Sequence, residues 1–452
     1  MENLNSHITE QLVKKWAPVL DHPSLKPISD PYRKSVTATL LENQEVAAQH
    51  EGMIFETASY PNVAGNSLTG GLGNTMGDNA GQTMSNFQPI LISLIRRAVP
   101  QLIAYDICGV QAMTMPTGLI FAMRSGYANT SSSFTKEALF YEANAAWSGT
   151  GTFDPLTSSG PNAFDKFSAA LGVATAYGET DDNWPQMGFA IEKTSVEVKT
   201  RRLKADYTME LAQDLKAVHN LDAEAELANI LSLEILNEIN REVVRTVYTI
   251  AKPGGTANTT YTDGAGVVDL TRGTSGDMDG RYFAEQWRGL QFLMERDAIR
   301  IAKDTRRGKG NFVIVDPETA SALASIGILD YSIVNSSASL SAVPDETSST
   351  FAGVLGGRLK VYIDPFVALG HNFYCMGYKG ASPYDAGLFY CPYVPLQMVR
   401  AQDPKTFQPS IGFKTRYGMK EHPFAGSDFA AGKSGTTHSN KYYRLAVINK
   451  LV

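Results

Sequence analysis

The chain has 452 residues with 40 basic and 46 acidic side chains, a formal charge of −6. Hydrophobic residues make up 43%, which excludes a disordered tail or a fibrous repeat. The negative sign excludes a histone-like coat on DNA, which needs a basic face. Charged residues are only 19%, against about 25% in ordinary soluble proteins, so much of the surface is expected to be covered by something other than water.

At about 150 residues per domain the chain holds two to four domains. Cys108, Cys375 and Cys391 form no C-x-x-C pair, so buried thiols in a reducing compartment are expected rather than a disulfide framework. The first residues lack a basic region followed by an apolar one, so no secretory signal is expected. No run approaches the roughly 18 apolar residues of a membrane span. The expected location is the cytosol, or something assembled there.

Residues 1–56 stand apart, with five basic and eight acidic residues and three of the seven histidines. Leu4, Ile8, Leu12 and Trp16 recur at four-residue steps and predict a short amphipathic helix. Pro23, Pro27 and Pro31 follow, and a second helix is predicted near Val36 to Gln49. The glycine-rich tract from Asn62 to Gln82 lacks the Lys-Ser/Thr of a phosphate cradle and reads as an extended arm. Gln88 to Ala104 reads as a helix with Ile90, Leu91, Leu94, Ile95 and Val99 on one side.

Leu119 to Arg124 predicts a strand, and alternation returns at Gly188–Ile191 and Ser195–Val198. The Ser/Thr/Gly/Asn-rich stretch from about Asn129 to Asp182 then becomes the elaborated tip of a long hairpin. The best-specified helix is Ala223 to Ala251. Asp222 caps it, Glu224 and Glu226 sit at its positive end, and Pro253-Gly254-Gly255 stops it. Leu236, Ile239, Val243, Val247 and Ile250 mark its buried stripe. At about 1.5 Å per residue it is on the order of 40 Å long, a spine rather than an ordinary domain helix.

A second long helix is predicted from Arg281 to Lys303, with Phe283, Trp287, Leu290 and Leu293 along one side. Asn311–Val315 is a buried-type strand leading to an Asp316-Pro317 helix start. Phe351–Asp364 predicts a hairpin turned at Gly356-Gly357. Strands follow at Phe373–Tyr378, Gly387–Tyr393, Ser410–Tyr417 and Tyr442–Asn449. The order implies a mixed α+β chain.

Little in this pattern suggests chemistry. His219, His371, His422 and His438 are isolated, so neither a metal nor any other cofactor is expected. No G-x-S-x-G, H-E-x-x-H or P-loop occurs. Arg306-Arg307-Gly308-Lys309-Gly310 could touch phosphate, but cations are favoured at a helix end anyway. Glu238 and Glu242 read as a solvated ion-pair face with Arg241 and Arg245 rather than a catalytic dyad. No enzyme is expected.

Five stretches carry a resemblance: Arg96–Gln111 (RRAVPQLIAYDICGVQ), Glu210–His219 (ELAQDLKAVH), Glu238–Val244 (EINREVV), Phe351–Gly357 (FAGVLGG) and Gly412–Gly418 (GFKTRYG). In this order they resemble the major head protein family of T-even-type tailed bacteriophages, along nearly the whole chain after residue 85. The resemblance implies an α+β Hong Kong 97-type capsid fold. In that fold an N-terminal arm, a hairpin called the E-loop, a P domain with a spine helix and an A domain tile into hexamers.

The boundaries it implies here are a removed propeptide at 1–56, an N-arm at 57–85 and the start of the P domain at 86–115. They continue with an E-loop at 116–200 carrying a short insertion at about 130–185, the spine-helix region at 201–255, the A domain at 256–390 and returning P-domain strands at 391–452. The family also implies cutting by a prohead protease after a Leu/Ile-x-Glu triplet. Matches are Ile8-Thr9-Glu10, Leu40-Leu41-Glu42, Ile54-Phe55-Glu56, Leu236-Asn237-Glu238 and Leu293-Met294-Glu295. The last two fall inside predicted helices, whereas Ile54-Phe55-Glu56 precedes the arm, so cleavage is expected between Glu56 and Thr57.

The partners implied are other copies of the chain in homo-hexamers of an icosahedral or prolate head, a vertex protein, scaffold and core proteins, the prohead protease, the portal and decoration proteins. A host chaperonin with its cochaperonin would assist folding, and packaged double-stranded DNA would be touched only non-specifically. The implied location is the virion capsid, assembled in the bacterial cytoplasm. Two other readings remain open at this point: a vertex protein of the same fold forming pentamers, and a cytosolic multi-domain enzyme.

Overall fold

The computed structural model describes residues 2–21, 28, 30–58, 102–128, 134–139, 143–151, 170–180, 184–255, 266–270, 283–327, 329–330, 350–368, 370–402, 408–423, 425 and 438–449. The glycine tract and most of the Gln88–Ala104 stretch lie outside these residues.

Helices α1 (Glu2–Leu20) and α2 (Pro31–Ala58) open the chain as a hairpin. Lys15 pairs with Glu42 and Glu45 (2.7 and 2.6 Å), and Lys34 with Asp21 (2.7 Å), which sets them antiparallel. The Asp30 carboxylate accepts from the Tyr32 N–H at the start of α2. This second helix runs to Ala58, nine residues beyond the predicted end at Gln49, because 50–58 offers no proline or glycine pair to stop it.

Next come α3 (Ala104–Ile107), β1 (Gly109–Val110), β2 (Thr117–Ala128), β3 (Phe134–Glu137), α4 (Thr175–Gly178), β4 (Gln186–Glu197) and β5 (Lys199–Asp206). The two short strands expected after residue 187 are one. Strand β4 pairs with β2 in unbroken antiparallel register from Thr117 opposite Glu197 to Ala128 opposite Gln186. Glu192 and Lys193 do not interrupt it, since polar side chains are tolerated on an exposed strand.

Helices α5 (Met209–His219) and α6 (Ala223–Ile250) follow. Asp222 caps α6 as expected, accepting from the Glu224 N–H at 3.1 Å. The buried stripe runs Leu231, Ile235, Ile239, Val243, Val247 and Ile250, with Leu236 only partly buried at its edge. Pro253 ends not the helix but the short strand β6 (Ala251–Pro253) that continues it.

The remaining elements are β7 (Val267–Asp269), α7 (Phe283–Thr305), β8 (Phe312–Val315), α8 (Pro317–Ser325), β9 (Leu329–Asp330), β10 (Thr350–Leu355), β11 (Leu359–Ile363), β12 (Asn372–Gly377), β13 (Leu388–Gln402), β14 (Pro409–Glu421) and β15 (Asn440–Asn449). Asp316 caps α8 through the Thr319 N–H. Gly356 and Gly357, at φ +57° and +71°, turn the β10–β11 hairpin where a side chain would strain the backbone.

Three sheets result: β1-β13-β14-β5; a larger one in the order β6-β15-β12-β8-β11-β10-β9, with β7 also on β15; and β3-β2-β4. The chain is α+β, as the element order implied. One core joins α1, α2 and α6 to the first sheet, and a second packs α7 and α8 on the large sheet. The last strand lies beside β12 rather than β14, so the C-terminal return crosses from one sheet to the other.

Candidate functional site

Three surfaces draw attention, and each is built from a different local rule. The first is the seat of the α1–α2 hairpin. Trp16, Leu20, Leu40 and Leu41 are all no more than 2% exposed and belong to the main core. Arg33 donates to Asp106 at 2.6 Å, and its guanidinium lies 5.2 Å over the Tyr105 ring. The Asn43 amide donates to the carbonyls of Met113 (2.8 Å) and Tyr393 (2.9 Å). Where the hairpin meets α3, a cavity of about 300 Å³ is lined by Asp30, Arg33, Asp106, Lys360 and Lys379. Burial there pulls the Lys379 ammonium below its usual range, and it donates to the Tyr105 carbonyl.

The predicted cleavage residues, Ile54, Phe55, Glu56 and Thr57, lie in the last turns of α2 rather than in extended chain. The rival triplets are also helical: Ile8-Thr9-Glu10 in α1, Leu40-Leu41-Glu42 inside α2, and the other two inside α6 and α7. Helicity alone therefore does not separate them. Glu56 is two residues from the end of its helix, whereas Leu40 and Leu41 are buried.

The second surface is the β2–β4 hairpin. Residues directly opposite in an antiparallel pair point to the same face. That face carries Leu119, Phe121 and Met123 from β2, and Met187, Phe189 and Ile191 from β4. All six are 50–69% exposed. The other face holds Ile120 and Val196, both buried. The hairpin thus carries apolar side chains on both faces; on the exposed face only its far end is covered among the described residues, where Tyr127 packs on Trp147 at 5.2 Å. The sequence carried the signal in the run Leu119-Ile120-Phe121-Ala122-Met123, where apolar residues fill both parities. Sequence reasoning placed the strand and missed the second face.

The third is a groove of about 690 Å³ along α6, lined among others by Arg201, Glu238, Arg241, Glu242 and Phe366. Here the ion pairs differ from expectation. Glu238 and Glu242 pair not with Arg241 and Arg245 but with Arg201 of β5, and Glu242 also accepts from the Tyr417 hydroxyl. Arg241 instead reaches Asp364, which is almost fully buried and also accepts from Tyr248 at 2.9 Å. Desolvation lowers the affinity of Arg201 for its proton, but the hydrogen bonds it donates to Glu242 and Tyr417 outweigh it and leave the guanidinium raised. A carboxylate pair tied to an arginine and a tyrosine holds sheet to helix.

Elsewhere the candidate chemistry is taken up structurally. Arg307 pairs with Asp385 at 3.6 Å and Lys309 with Glu295, so the basic cluster meets carboxylates. All three cysteines are buried, and burial pushes the Cys108 and Cys391 thiols up to about 12. Burial and the nearby Arg307 charge push His422 down to about 3, between the rings of Phe389 and Tyr442. Among the described residues no three His, Cys, Asp or Glu converge as a metal site, and no helix is long and apolar enough to cross a membrane.

The family described as "Major capsid protein Gp23" matches residues 84–448. The chain belongs to this family. It is 36% identical to the major capsid protein of Enterobacteria phage T4 over 92% of both chains. It is 35% identical to that of Salmonella phage ViI over 98% of this chain and 99% of the relative. A capsid vertex protein of Enterobacteria phage T4 is 27% identical over 252 residues, 52% of this chain and 53% of the relative. Among solved structures, the capsid of Myoviridae Phage XM1 is similar at a TM-score of 0.40 and 10% identity, over 76% of this chain and 91% of that one. The matched span begins after α2, so the family profile covers the β2–β4 ladder and the α6 groove and leaves the α1–α2 hairpin outside it.

Proposed function

We propose that this chain is the hexamer-forming shell subunit of a tailed-phage head that encloses double-stranded DNA. The observation that carries the proposal is the unpartnered apolar ladder on β2 and β4. Six large side chains held in water each forgo on the order of 1 kcal/mol of burial, and a lattice neighbour supplies that burial. The low charged fraction has the same explanation. Family membership supports it, and the vertex-protein reading draws on a match to only half of the chain.

In this reading residues 116–200 are the E-loop and α6 is the spine. The sheet containing β13 and β14 belongs to the P domain, and strands β8 to β12 belong to the A domain. Residues 1–56 are a propeptide released by cleavage between Glu56 and Thr57. The last carbonyls of a helix have no intrahelical partners and its last turn frays, so the Ile54–Thr57 strip can open into the extended form a protease needs. Leu236-Asn237-Glu238 and Leu293-Met294-Glu295 lie mid-helix and do not fray.

Co-expression with a phage scaffold and prohead protease, followed by electron microscopy, tests the function. Closed shells are expected, and failure to form any higher assembly overturns it. Mass spectrometry of mature particles is expected to find Thr57 as the first residue, and any other N-terminus overturns the cleavage position.

A further inference from the structure

The ladder on β2 and β4 contains two methionines, Met123 and Met187, exposed to 67% and 55%. Met123 lies opposite Ile191 and Met187 opposite Tyr127, on the same face as Phe121 and Phe189. Both side chains are therefore within reach of a dissolved oxidant, Met123 in the middle of the ladder and Met187 at its far end, on a face whose polar members are Ser125, Lys193 and Ser195. Met115 and Met209 are also exposed, at 65% and 58%, but lie outside β2 and β4, whereas Met294 and Met376 are fully buried and Met113 nearly so.

We propose that Met123 and Met187 form a redox-sensitive modification site whose oxidation blocks assembly. The inference rests on the reading of the ladder as the surface that meets a second copy. The co-reactant is a peroxide. The thioether sulfur attacks one peroxide oxygen, the S–O bond forms as the O–O bond breaks, and water leaves. Sulfur is oxidised by two electrons and the peroxide reduced by two, giving methionine sulfoxide.

The physical consequence follows from where the new oxygen sits. A thioether is soft and apolar, and adapts to the packing it meets. A sulfoxide is a strong acceptor on a chiral sulfur, and a neighbour that docks on the ladder presents no guaranteed donor to it. Burying it unpaired is unfavourable, twice per copy. The hairpin itself is unharmed, because neither side chain packs in the core of its own chain.

The experiment treats the unassembled full-length chain with limiting hydrogen peroxide and maps sulfoxides by peptide mass spectrometry before assembly is scored by sedimentation. Oxidised wild type is expected to lose shell yield at least tenfold, and treatment with both methionine sulfoxide reductases to restore it. The variant Met123→Leu/Met187→Leu, which keeps apolar bulk, is expected to hold its yield within twofold after the same peroxide. Full sulfoxide at both positions with unchanged yield overturns the inference, as does a leucine variant as sensitive as wild type.

A second measurement separates this from the reading beneath it. In finished shells the two methionines should react far more slowly than in the free chain. Equal rates in both states overturn the docking surface itself. Protection in shells combined with harmless oxidation of the free chain overturns only the inference.

Discussion

The chain carries two hairpins with opposite relations to water. The helical one, α1–α2, hides its large apolar groups in its own chain: Trp16, Leu20, Leu40 and Leu41 are at most 2% exposed. The β-hairpin, β2–β4, holds six such groups at 50–69% exposure. By the proposed processing the first is discarded and the second retained. The difference teaches where each half of the stabilisation comes from. In the proposed reading the precursor satisfies its N-terminus in cis before any lattice exists, whereas the β-hairpin's second face is completed only in trans.

The largest expected effect tests the buried side of this contrast. Leu40→Ala/Leu41→Ala removes two core side chains, each worth about 2–5 kcal/mol once the cavity is counted. The urea midpoint of the full-length chain should fall steeply. A chain beginning at Thr57 lacks both residues and should resemble the weakened variant. If it matches the intact full-length chain instead, the helical hairpin is an appendage and the comparison fails.

His422 supplies an internal standard, since its ring lies between Phe389 of β13 and Tyr442 of β15. Its pKa is near 3 when folded and about 6.5 when unfolded. Below pH 6.5 the unfolded chain takes up a proton that the folded chain refuses, so stability is lost as pH falls from 6.5 towards 3. At full extent this is on the order of 5 kcal/mol. The loss should be equal in the full-length chain and in 57–452, and reduced in His422→Gln. Urea titrations at pH 7 and pH 4 read it.

Smaller effects belong to the polar fasteners of the helical hairpin. Arg33→Ala leaves Asp106 without its 2.6 Å partner, and Asn43→Ala leaves the carbonyls of Met113 and Tyr393 without their amide donor. Each should weaken the precursor by about 1–2 kcal/mol. Each should also speed loss of the 1–56 fragment after cleavage, measured by gel filtration. Unchanged release would assign the hold on the hairpin to Leu40 and its neighbours alone.

How much of this was legible in the sequence depended on the range of the determining interaction. Helix α6 was legible almost to the residue, because cap, stripe and stop are all local: Asp222, the Ile239–Ile250 rows and the break after Ile250. The β10–β11 turn was legible for the same reason, through Gly356 and Gly357. The partner of Glu238 and Glu242 was not, because Arg201 is 37 and 41 residues away and is delivered by sheet pairing rather than helix periodicity. The extension of α2 from Gln49 over Ile54–Thr57 was not legible because no stop signal stands between them to mark either end. The ladder was half legible. Alternation showed a strand, but only the register of β2 with β4 shows that Phe121, Met123, Phe189 and Ile191 converge on one face.

That ladder also carries the prediction with the smallest effect on the fold. Phe121 lies opposite Lys193, so Phe121→Glu places a carboxylate beside an existing cation. Ile191→Thr keeps the branching that favours a strand. Neither side chain belongs to a core of this chain, so the double variant should unfold within about 0.5 kcal/mol of wild type. A docked neighbour would nonetheless have to bury the carboxylate and the hydroxyl, so sedimentation should show shells lost. The expected outcome is thus a normal urea midpoint with no assembly, the reverse of Leu40→Ala/Leu41→Ala, which damages the fold of the precursor first. Shells formed at wild-type yield by Phe121→Glu/Ile191→Thr would mean that the exposed face is never covered, and would leave the low charged fraction of this chain without its explanation.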